Sequence, residues 1–361
     1  MSINTISTSK NSIYFGDLSN GNLMKCIDEL ENVDNVFVLT DANTSKHCLP
    51  KFLASHSTHA TFKILEFEQG EENKTIETCK SIWQTLLEMG ATRNSVIINL
   101  GGGVVTDLGG FVAGTFKRGI NYFNIPTTLL AQADASVGGK TAVDLDGLKN
   151  QVGLFYDPKA VFIDIGFLDT LSKREWLNGF AEMIKHSLLE GIDNWDELIS
   201  AQITNKEVIS KLLYQSVKFK SKIVSADANE KGLRKILNFG HTVGHAVETF
   251  FLESDKPLLK HGEAVIMGII VELFISETKL DFDSTITQEI IEYLKQFYLK
   301  VKLEKGDFIR LIEIMKTDKK NRGAEFNFTL LSAIGQPEFD QQATAVDIEK
   351  ALNKYRMLEW L

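Results

Sequence analysis

The stretch "INLGGGVVTDLGG" (98–110) decides how the first part of the chain is expected to fold. A short apolar run ends in three consecutive glycines, and a helical pattern starts directly after them. Such glycines let backbone N–H groups approach a phosphate, and the N-terminus of the following helix attracts anions. The third position of the dinucleotide fingerprint holds Thr106 instead of glycine, and no acidic residue follows about twenty positions later. The pattern therefore predicts a βα turn, either with a nucleotide site at Gly101, Gly102 and Gly103 or as a plain tight turn.

The residues on both sides of this turn alternate between strand and helix patterns. Short apolar runs that end in turn residues are typical of buried parallel strands, and apolar residues at helical spacing that end in glycine are typical of the helices between them. The strand candidates are 35–41, 95–103, 121–128 and 160–165, and the helix between the first two is 74–90. The alternation predicts an N-terminal α/β dinucleotide-binding domain, Rossmann-like but non-standard, over residues 1–170.

From "LSKREW" (171–176) onward the pattern becomes mostly helical. We expect an all-α C-terminal domain over residues 171–361, with one β-like piece at 326–335. The cleft between two domains is where an active site is expected by default. The helix candidates are 172–190, 205–227, 238–252, 261–279, 286–298 and 307–316.

Composition excludes several classes of function. The net charge of −9 and pI near 5.4, without a long Lys/Arg block, argue against a nucleic-acid partner. The most apolar stretch, 264–271, is too short to span a bilayer, which argues against a membrane protein. The first sixteen residues lack the pattern of a secretory signal, and Cys26, Cys48 and Cys79 lack metal or disulfide spacing. We therefore expect a cytoplasmic protein.

Two histidines stand four residues apart in "LNFGHTVGHAVE" (237–248), a stretch with a helical pattern. Residues at this spacing share one helix face, so His241 and His245 are candidates for one metal ion, although helical histidines are more often capped or solvated. Glu182 and His261, on two other predicted helices, complete a possible three-ligand set with His241. We interpret His186, which lacks a partner at helical spacing, as a helix-surface histidine.

A polar, basic run lies within the predicted first domain. Residues 116–155 contain Arg118, Lys140 and Lys149 beside glycine pairs and turns. Each lysine alone is most simply a solvated surface charge, but a cluster of cations in an acidic chain fits an anionic metabolite. Asp41, at the end of an earlier strand, is either an ordinary turn residue or a partner for a ribose hydroxyl.

Taken together, seven motifs resemble those of the 3-dehydroquinate synthase family in order and spacing, from about residue 35 to residue 335. They are "GGGVVTDLGGF", "PTTLLAQADASVGGKTAVD", "GLKNQVG", "GFAEMIKH", "GLRKILNFGHTVGHAVE", "HGEAVIMG" and "DKKNRG". The resemblance implies NAD, one divalent metal (zinc, with cobalt as the alternative) and a small phosphorylated sugar acid as substrate. The implied reaction turns 3-deoxy-D-arabino-heptulosonate 7-phosphate into 3-dehydroquinate and phosphate, the second step of the shikimate pathway, by transient oxidation, elimination, re-reduction and aldol closure.

The resemblance also implies roles for individual residues. His241, His261 and Glu182 match the metal ligands, and His245 matches a residue of proton transfer. The two histidines that are four residues apart therefore have different implied roles. A homodimer is implied, in which Arg118 reaches the neighbouring subunit's site. The matching substrate contacts are Arg118, Asp134, Lys140, Asn150, Lys185, Lys220, Glu230, Arg234, Asn238 and Lys319. The matching NAD contacts are Asp41, Asn43, Glu71, Lys74, Gly102, Gly103, Asp107, Thr127, Thr128, Lys149 and Thr170. Gly101, Thr106 and Lys140 are further candidates for NAD contacts.

The sequence departs from the family pattern at three positions, Thr106, Ala228 and Tyr156, and none of them is assigned to the metal or to proton transfer. A cyclase of sedoheptulose 7-phosphate is one alternative, although Lys220, Asn238 and the lysine of "DKK" stand in the dehydroquinate synthase form. A metal-dependent polyol dehydrogenase is a second alternative, but its reaction does not require lysines that hold a substrate phosphate. A nucleotide-binding regulator leaves the three metal ligands unexplained.

Overall fold

The computed structural model describes residues 4–8, 10–56, 61–146, 148–317 and 325–360. The chain forms two compact units, one of Met1–Trp176 with Leu213–Ser225 and the other of Leu177–Leu212 with Ala226–Leu361. The strands are β1 (Asn4–Ser7), β2 (Ser12–Phe15), β3 (Val36–Asp41), β4 (Phe62–Phe67), β5 (Val96–Gly101), β6 (Asn121–Pro126), β7 (Lys140–Leu145), β8 (Leu148–Phe155), β9 (Ala160–Ile163), β10 (Phe326–Ala333) and β11 (Gln336–Ala343). The helices are α1 (Asn22–Asp28), α2 (Ala42–His47), α3 (Leu49–Ser55), α4 (Ile76–Glu88), α5 (Gly103–Thr115), α6 (Lys173–Glu190), α7 (Ile192–Ser200), α8 (Lys206–Ala226), α9 (His241–Leu252), α10 (His261–Lys279), α11 (Ser284–Leu294), α12 (Asp307–Thr317) and α13 (Ala345–Met357).

The first unit is built on a seven-stranded sheet with the order β1-β2-β9-β6-β5-β3-β4. All neighbouring strands are parallel except β1, which pairs antiparallel with β2 at the edge. In a parallel sheet the strands reach their carboxyl ends at the same edge, where open α/β sheets bind their ligands. The segments that follow β3, β4, β5, β6 and β9 therefore start from one edge of this sheet.

Both faces of the sheet are covered by apolar layers. Successive side chains of a strand point to opposite faces. On β3, Phe37 and Leu39 belong to the cluster that includes residues of α4 and α5, whereas Val38 belongs to the cluster that includes residues of α1 and α3. Every residue of β5 is buried, which explains why its sequence is apolar on both faces except at Asn99, whose Nδ2 donates to Asn124 Oδ1 at 2.9 Å.

A two-stranded antiparallel ribbon, β7–β8, extends from the first unit. All residues of β8 are exposed, including Leu148 and Phe155, which are 59% and 58% exposed. Lys140 and Asn150 were expected on loops around the glycine turn, and this expectation is wrong, because Lys140 starts β7 and Asn150 lies within β8. Asp146, at the turn of the ribbon, and Asn150 have positive φ, so the backbone is irregular at these two positions.

The second unit is organised around α10. Every residue from Ala264 to Ser276 is buried, as expected for a helix that neighbours surround on all sides. The backbones of α9 and α10 approach closely at Gly240, Gly244 and Gly268. A Cβ atom at Gly268 would lie 1.9 Å from the carbonyl oxygen of Gly240, so only glycine fits there.

The α/β class of the first part and the helical character of the second are confirmed. The second unit is not all-α, because β10 and β11 form an antiparallel ribbon where one β-like piece was expected. The predicted boundary at residue 170 assigned residues 213–225 to the second domain, whereas they belong to the first unit. The helical pattern of α8 does not show which unit it packs in. Within the described residues, none of the helices combines the length and apolar character that a membrane crossing requires.

Candidate active site

The glycine turn joins β5 to α5 at the carboxyl edge of the sheet. Gly102 is the residue before α5, and its position lacks a capping side chain. A Cβ atom at Gly102 would lie 3.0 Å from the Thr128 side chain, and one at Gly101 would overlap Val105. The backbone of β6 is held against this turn, because Thr127 N–H donates to the carbonyl oxygen of Gly101 at 2.9 Å. The turn thus combines glycines with uncapped helix N–H groups, which fits a phosphate group.

Most predicted NAD residues follow the ends of parallel strands. Asp41 ends β3 and Thr127 and Thr128 follow β6, while Glu71 and Lys74 lie in the turn after β4. Thr170 ends the short 3₁₀ segment after β9, and Asn43 lies on α2; both are exposed. The structure gives Asp41 a local role, since its Oδ1 accepts from Thr44 N–H at 2.7 Å as the cap of α2. The binding roles of these residues stay predictions.

Lys74 gathers several of the predicted residues into one cluster. The lysine is 3% exposed, and its Nζ lies 2.7 Å from Asp107 Oδ2, 2.7 Å from Asn150 Oδ1 and 3.8 Å from Glu71 Oε1. Burial lowers the pKa of Lys74, but the carboxylates of Asp107 and Glu71 outweigh burial and raise it, so the lysine stays charged. This cluster brings Asn150, a predicted substrate contact, together with predicted NAD contacts.

Other predicted residues of the first unit lie outside the cluster around Lys74. Lys220 on α8 is 5% exposed, and its Nζ lies 2.6 Å from Asp134 Oδ1. Lys140 and Lys149 are exposed on the β7–β8 ribbon, and Thr106 is buried in α5, where its hydroxyl donates to Gly103 O. Arg118 is exposed and has a φ of 71°, an unusual backbone conformation for arginine.

Three side chains of the second unit meet at one point. Glu182 on α6 is fully buried, and its Oε1 lies 3.5 Å from His241 Nε2 and 3.4 Å from His261 Nε2. The three candidate ligand atoms all lie within 4.8 Å of one another. Ligands about 2.05 Å from a tetrahedral ion are about 3.3 Å apart, so both measured distances fit a zinc-sized ion. The predicted ligand set is thus brought together by α6, α9 and α10.

The other ring nitrogens of the two histidines are also engaged. His241 Nδ1 lies 3.1 Å from the carbonyl oxygen of Phe239, and His261 Nδ1 lies 3.3 Å from Glu248 Oε2. Metal-bound histidines usually donate their second N–H to such an acceptor, which fixes the tautomer and aims the other nitrogen at the metal. Glu248 was not predicted as a site residue, although it lies seven positions after His241 on the same helix face.

Charge at this point favours a cation. Burial raises the pKa of Glu182, but Lys185, whose Nζ lies 2.5 Å from Glu182 Oε2, and the histidines hold it well below its usual range. Burial, followed by Lys185, lowers the pKa of His241, which favours the neutral imidazole that binds metals. Burial also lowers the pKa of His261, but Glu182 and Glu248 outweigh it and raise the pKa to about 10. The two carboxylates thus favour the protonated imidazole of His261, whose proton a metal ion would displace on binding.

His245 lies next to the triad and is exposed. Its ring centroid is 5.1 Å from that of His241 and 6.0 Å from that of His261. His245 does not belong to the group of candidate ligands within the described residues. The surface position expected for His186 is wrong: the side chain is fully buried, with Nε2 4.0 Å from Glu182 Oε2. Its helix is buried on nearly all sides, which the spacing of one histidine does not show.

The remaining predicted residues of the second unit that the structure describes lie in the loop after α8 and in the 3₁₀ helix Leu233–Asn238 that follows it. Asn238 Nδ2 donates to Glu230 Oε1 at 2.8 Å, and Arg234 donates to the carbonyl oxygen of Ala228 at 2.8 Å. The loop is held by Asp227, which accepts from the N–H groups of residues 231, 232 and 234. The structure thus gives Asp227 a part in shaping this loop that sequence reasoning missed. Lys319 lies outside the described residues.

Two family models match consecutive parts of the chain. The model of the 3-dehydroquinate synthase N-terminal domain matches residues 64–178, and that of the C-terminal domain matches residues 179–321. A 3-dehydroquinate synthase of Parabacteroides distasonis is 43% identical over 325 residues, which is 90% of this chain and 92% of the relative.

Two solved structures share the fold. A 2-deoxy-scyllo-inosose synthase complexed with carbaglucose-6-phosphate, NAD+ and Co2+ has a TM-score of 0.85 and 24% identity, over 98% of this chain and 100% of the other. A 2-epi-5-epi-valiolone synthase from Streptomyces hygroscopicus with NAD+ and Zn2+ bound has a TM-score of 0.86 and 23% identity, over 98% and 99%. With matches to both family models and a relative of this identity along most of its length, the chain belongs to the 3-dehydroquinate synthase family.

Proposed function

We propose that the chain converts 3-deoxy-D-arabino-heptulosonate 7-phosphate to 3-dehydroquinate and phosphate, as an NAD- and metal-dependent carbon–oxygen lyase. The observation that carries the proposal is the meeting of Glu182, His241 and His261 in a chain of this family. Lys185 pairs with Oε2 of this fully buried carboxylate, while Oε1 faces two imidazole nitrogens at 3.4 and 3.5 Å and is placed to bind a metal ion with them.

The triad is proposed to hold one divalent metal ion, zinc or cobalt. The two solved relatives of the same fold carry Co2+ and Zn2+, which supports this choice. When bound, such an ion polarises the oxygen of the substrate carbon that is oxidised and reduced. Glu182 supplies the negative charge, and Glu248 keeps the His261 ring oriented through its Nδ1.

NAD is proposed to bind at the carboxyl edge of the first unit's sheet. Both solved relatives carry NAD+. When bound, NAD accepts a hydride from the substrate and later returns it. Gly101, Gly102 and Gly103 offer backbone N–H groups to its phosphates. The further contacts proposed are Asp41, Asn43, Glu71, Lys74, Thr106, Asp107, Thr127, Thr128, Lys140, Lys149 and Thr170.

The chain's own polar groups would hold the substrate and move its protons. His245, exposed beside the triad, is the proposed carrier of protons, since its ring is accessible while the other two histidines face Glu182. Cationic and amide side chains suit the phosphate and carboxylate groups of the substrate. The proposed substrate contacts are Arg118, Asp134, Lys140, Asn150, Lys185, Lys220, Glu230, Arg234, Asn238 and Lys319.

We also propose a homodimer and a cytoplasmic location. The exposed β8 carries Leu148, Val152, Leu154 and Phe155, each at least 37% exposed, and an apolar edge strand of this kind is suited to pairing with a second copy. The exposed Arg118 is available to a neighbouring subunit. Thiol groups rather than disulfides at Cys26, Cys48 and Cys79 support a reducing compartment. Sedimentation at several protein concentrations, compared between wild type and Phe155→Ser, tests the dimer.

The reaction is tested by incubating the metal-loaded protein with the heptulosonate phosphate and catalytic NAD. Phosphate release and absorbance at 340 nm are followed together. Hydride leaves C5 and returns to the same carbon, while phosphate leaves with a proton from the carbon next to the transient ketone. We therefore expect many turnovers with one phosphate each and no net NADH.

The same assay separates the alternatives. Stoichiometric NADH without phosphate release would refute the proposal in favour of a polyol dehydrogenase. Phosphate release from sedoheptulose 7-phosphate, but not from the heptulosonate, would reassign the substrate to that of another cyclase. Lys140→Ala is expected to weaken productive binding of the phosphorylated substrate while the metal content stays that of wild type.

A further inference from the structure

The helix that presents His241 begins at a position that its own sequence does not cap. Gly240, the residue before α9, has a φ of 79° and offers no side chain to the first-turn N–H groups. Unsatisfied N–H groups at a buried helix start cost free energy unless another group accepts from them. Here the acceptor comes from another helix: Gly240 N–H donates to Glu272 Oε2 at 2.6 Å, and Val243 N–H donates to Glu272 Oε1 at 3.2 Å.

Glu272 is fully buried and lies on α10, the helix that begins with His261. A buried carboxylate is costly unless it is hydrogen-bonded, and the two backbone donors at a helix N-terminus also stabilise its charge. This glutamate therefore ties the start of α9 to the middle of α10. The glycine contact at Gly240 and Gly268 brings the two backbones close enough for that bond.

The start of α10 is tied in the same way to α6. Gly262 N–H, next to His261, donates to Asn178 Oδ1 at 2.6 Å, and Asn178 is 7% exposed. Asn178 lies one turn before Glu182 on α6. A Cβ atom at Gly262 would lie 2.3 Å from the carbonyl oxygen of Asn178, so this contact is also close. Each helix start that bears a ligand histidine is thus capped from a helix that bears another ligand.

We propose that Glu272 and Asn178 are positioning residues for the metal site of Glu182, His241 and His261. The inference rests on the proposed function, because it assumes that the triad binds a divalent metal. Metal–ligand distances are tolerated within about ±0.2 Å, whereas a helix start without its cap frays over its first turn. His241 is the first residue of α9 and His261 is the first residue of α10, so both ligands lie where fraying begins. The two caps hold these first turns in place.

The experiment compares Co2+ binding by metal-free wild type, Glu272→Gln and Asn178→Ala, measured by the visible absorption of bound cobalt. Glu272→Gln keeps the side chain's shape but presents an NH2 group to one of the two N–H donors. We expect the dissociation constant for Co2+ to rise about 10–100-fold, with a changed cobalt band, as for other groups that orient ligands. Ile275→Val is the matched control: it trims a buried side chain of the same helix, one turn from Glu272, and leaves both caps intact.

Three results are informative. Weaker binding by Glu272→Gln, with Ile275→Val like wild type, supports the proposal. Equal affinity and identical cobalt spectra in wild type and Glu272→Gln would overturn it while leaving the metal assignment standing. If wild type itself binds no Co2+ at one equivalent, the metal assignment fails, and the inference fails with it. Should Glu272→Gln not fold, Asn178→Ala decides by the same readout, and amide exchange at residues 240 and 243 reports on the cap directly.

Discussion

Replacement of Gly268 by alanine tests whether the α9–α10 contact sets the geometry of the triad. A Cβ atom at this position would lie 1.9 Å from the Gly240 carbonyl oxygen and 2.9 Å from Gly244 N. Ordinary contact begins at 3.4 Å, so the two helices must separate by about 1.5 Å or bend. The neighbouring atoms are backbone and cannot rotate away. We therefore expect a loss of about 3 kcal/mol in the free energy of unfolding, the upper end for an overpacked core.

The same displacement should weaken metal binding. The helices that must separate are the ones that begin with His241 and His261. A shift of about 1.5 Å far exceeds the tolerance of about 0.2 Å in a metal–ligand distance, so we expect affinity for Co2+ to fall by about 100-fold or more. Urea unfolding measures the loss of stability, and the visible absorption of bound cobalt measures the loss of Co2+ affinity.

Gly306→Ala is the matched control, because it makes the same chemical change in the same unit. Gly306 has no positive φ, and a Cβ atom there would meet nothing within 4 Å. We expect its stability to stay within about 0.5 kcal/mol of wild type. A Gly268→Ala protein with wild-type stability and cobalt affinity would refute the argument that these backbones are in contact.

Three further perturbations have definite expected outcomes. His261→Ala should lose bound metal and activity together, whereas His245→Gln should retain metal and slow turnover by about 10²–10⁴-fold; equal metal loss in both would make His245 a ligand. Lys74→Met should destabilise the chain by about 3 kcal/mol in urea unfolding, because Asp107 loses its cation, and adding Asp107→Asn should recover part of that loss; no recovery would contradict the ion-pair account. Burial raises the pKa of Asp347, but Lys279 and the Thr344 cap outweigh it and lower the pKa to about 2. The charge of Asp347 therefore contributes about 2 kcal/mol to the free energy of unfolding above pH 4, and this contribution is lost as the pH falls towards 2. Asp347→Asn should accordingly be less stable than wild type at pH 7 and equal to it near pH 2; a pH-independent difference would contradict this.

The sequence was most informative where local chemistry and local structure coincide. The periodicity of α6, α9 and α10 predicts their bounds within three residues at each end, and the family motifs point to Glu182, His241 and His261. Residues that follow strand ends, such as Gly101 and Thr127, share one edge of a parallel sheet by topology alone. For these residues the strand order explains the shared edge, and their binding roles stay predictions.

Other features depend on contacts between residues distant in the chain, which no local pattern encodes. Glu272 stands in a continuous apolar helix, where its bonds to the start of α9 become visible only when the two helices pack. His186 was placed on a surface because helical spacing shows a face but not how many neighbours cover the helix. The β7–β8 ribbon was missed because β8 is exposed on both faces and lacks the buried alternation of a core strand.

The first unit is formed by two separate segments of the chain, and this limits where the chain can be cut into independent fragments. One continuous helix, α8, contributes Leu213–Ser225 to the first unit, although the rest of that unit ends at Trp176. A fragment that stops near residue 176 lacks Lys220, and the Asp134 carboxylate loses its lysine partner. Separate expression of the two halves therefore requires a copy of the α8 segment fused to the N-terminal half. A single nick between residues 176 and 213 should leave the pieces associated, because the chain returns to the first unit beyond the cut.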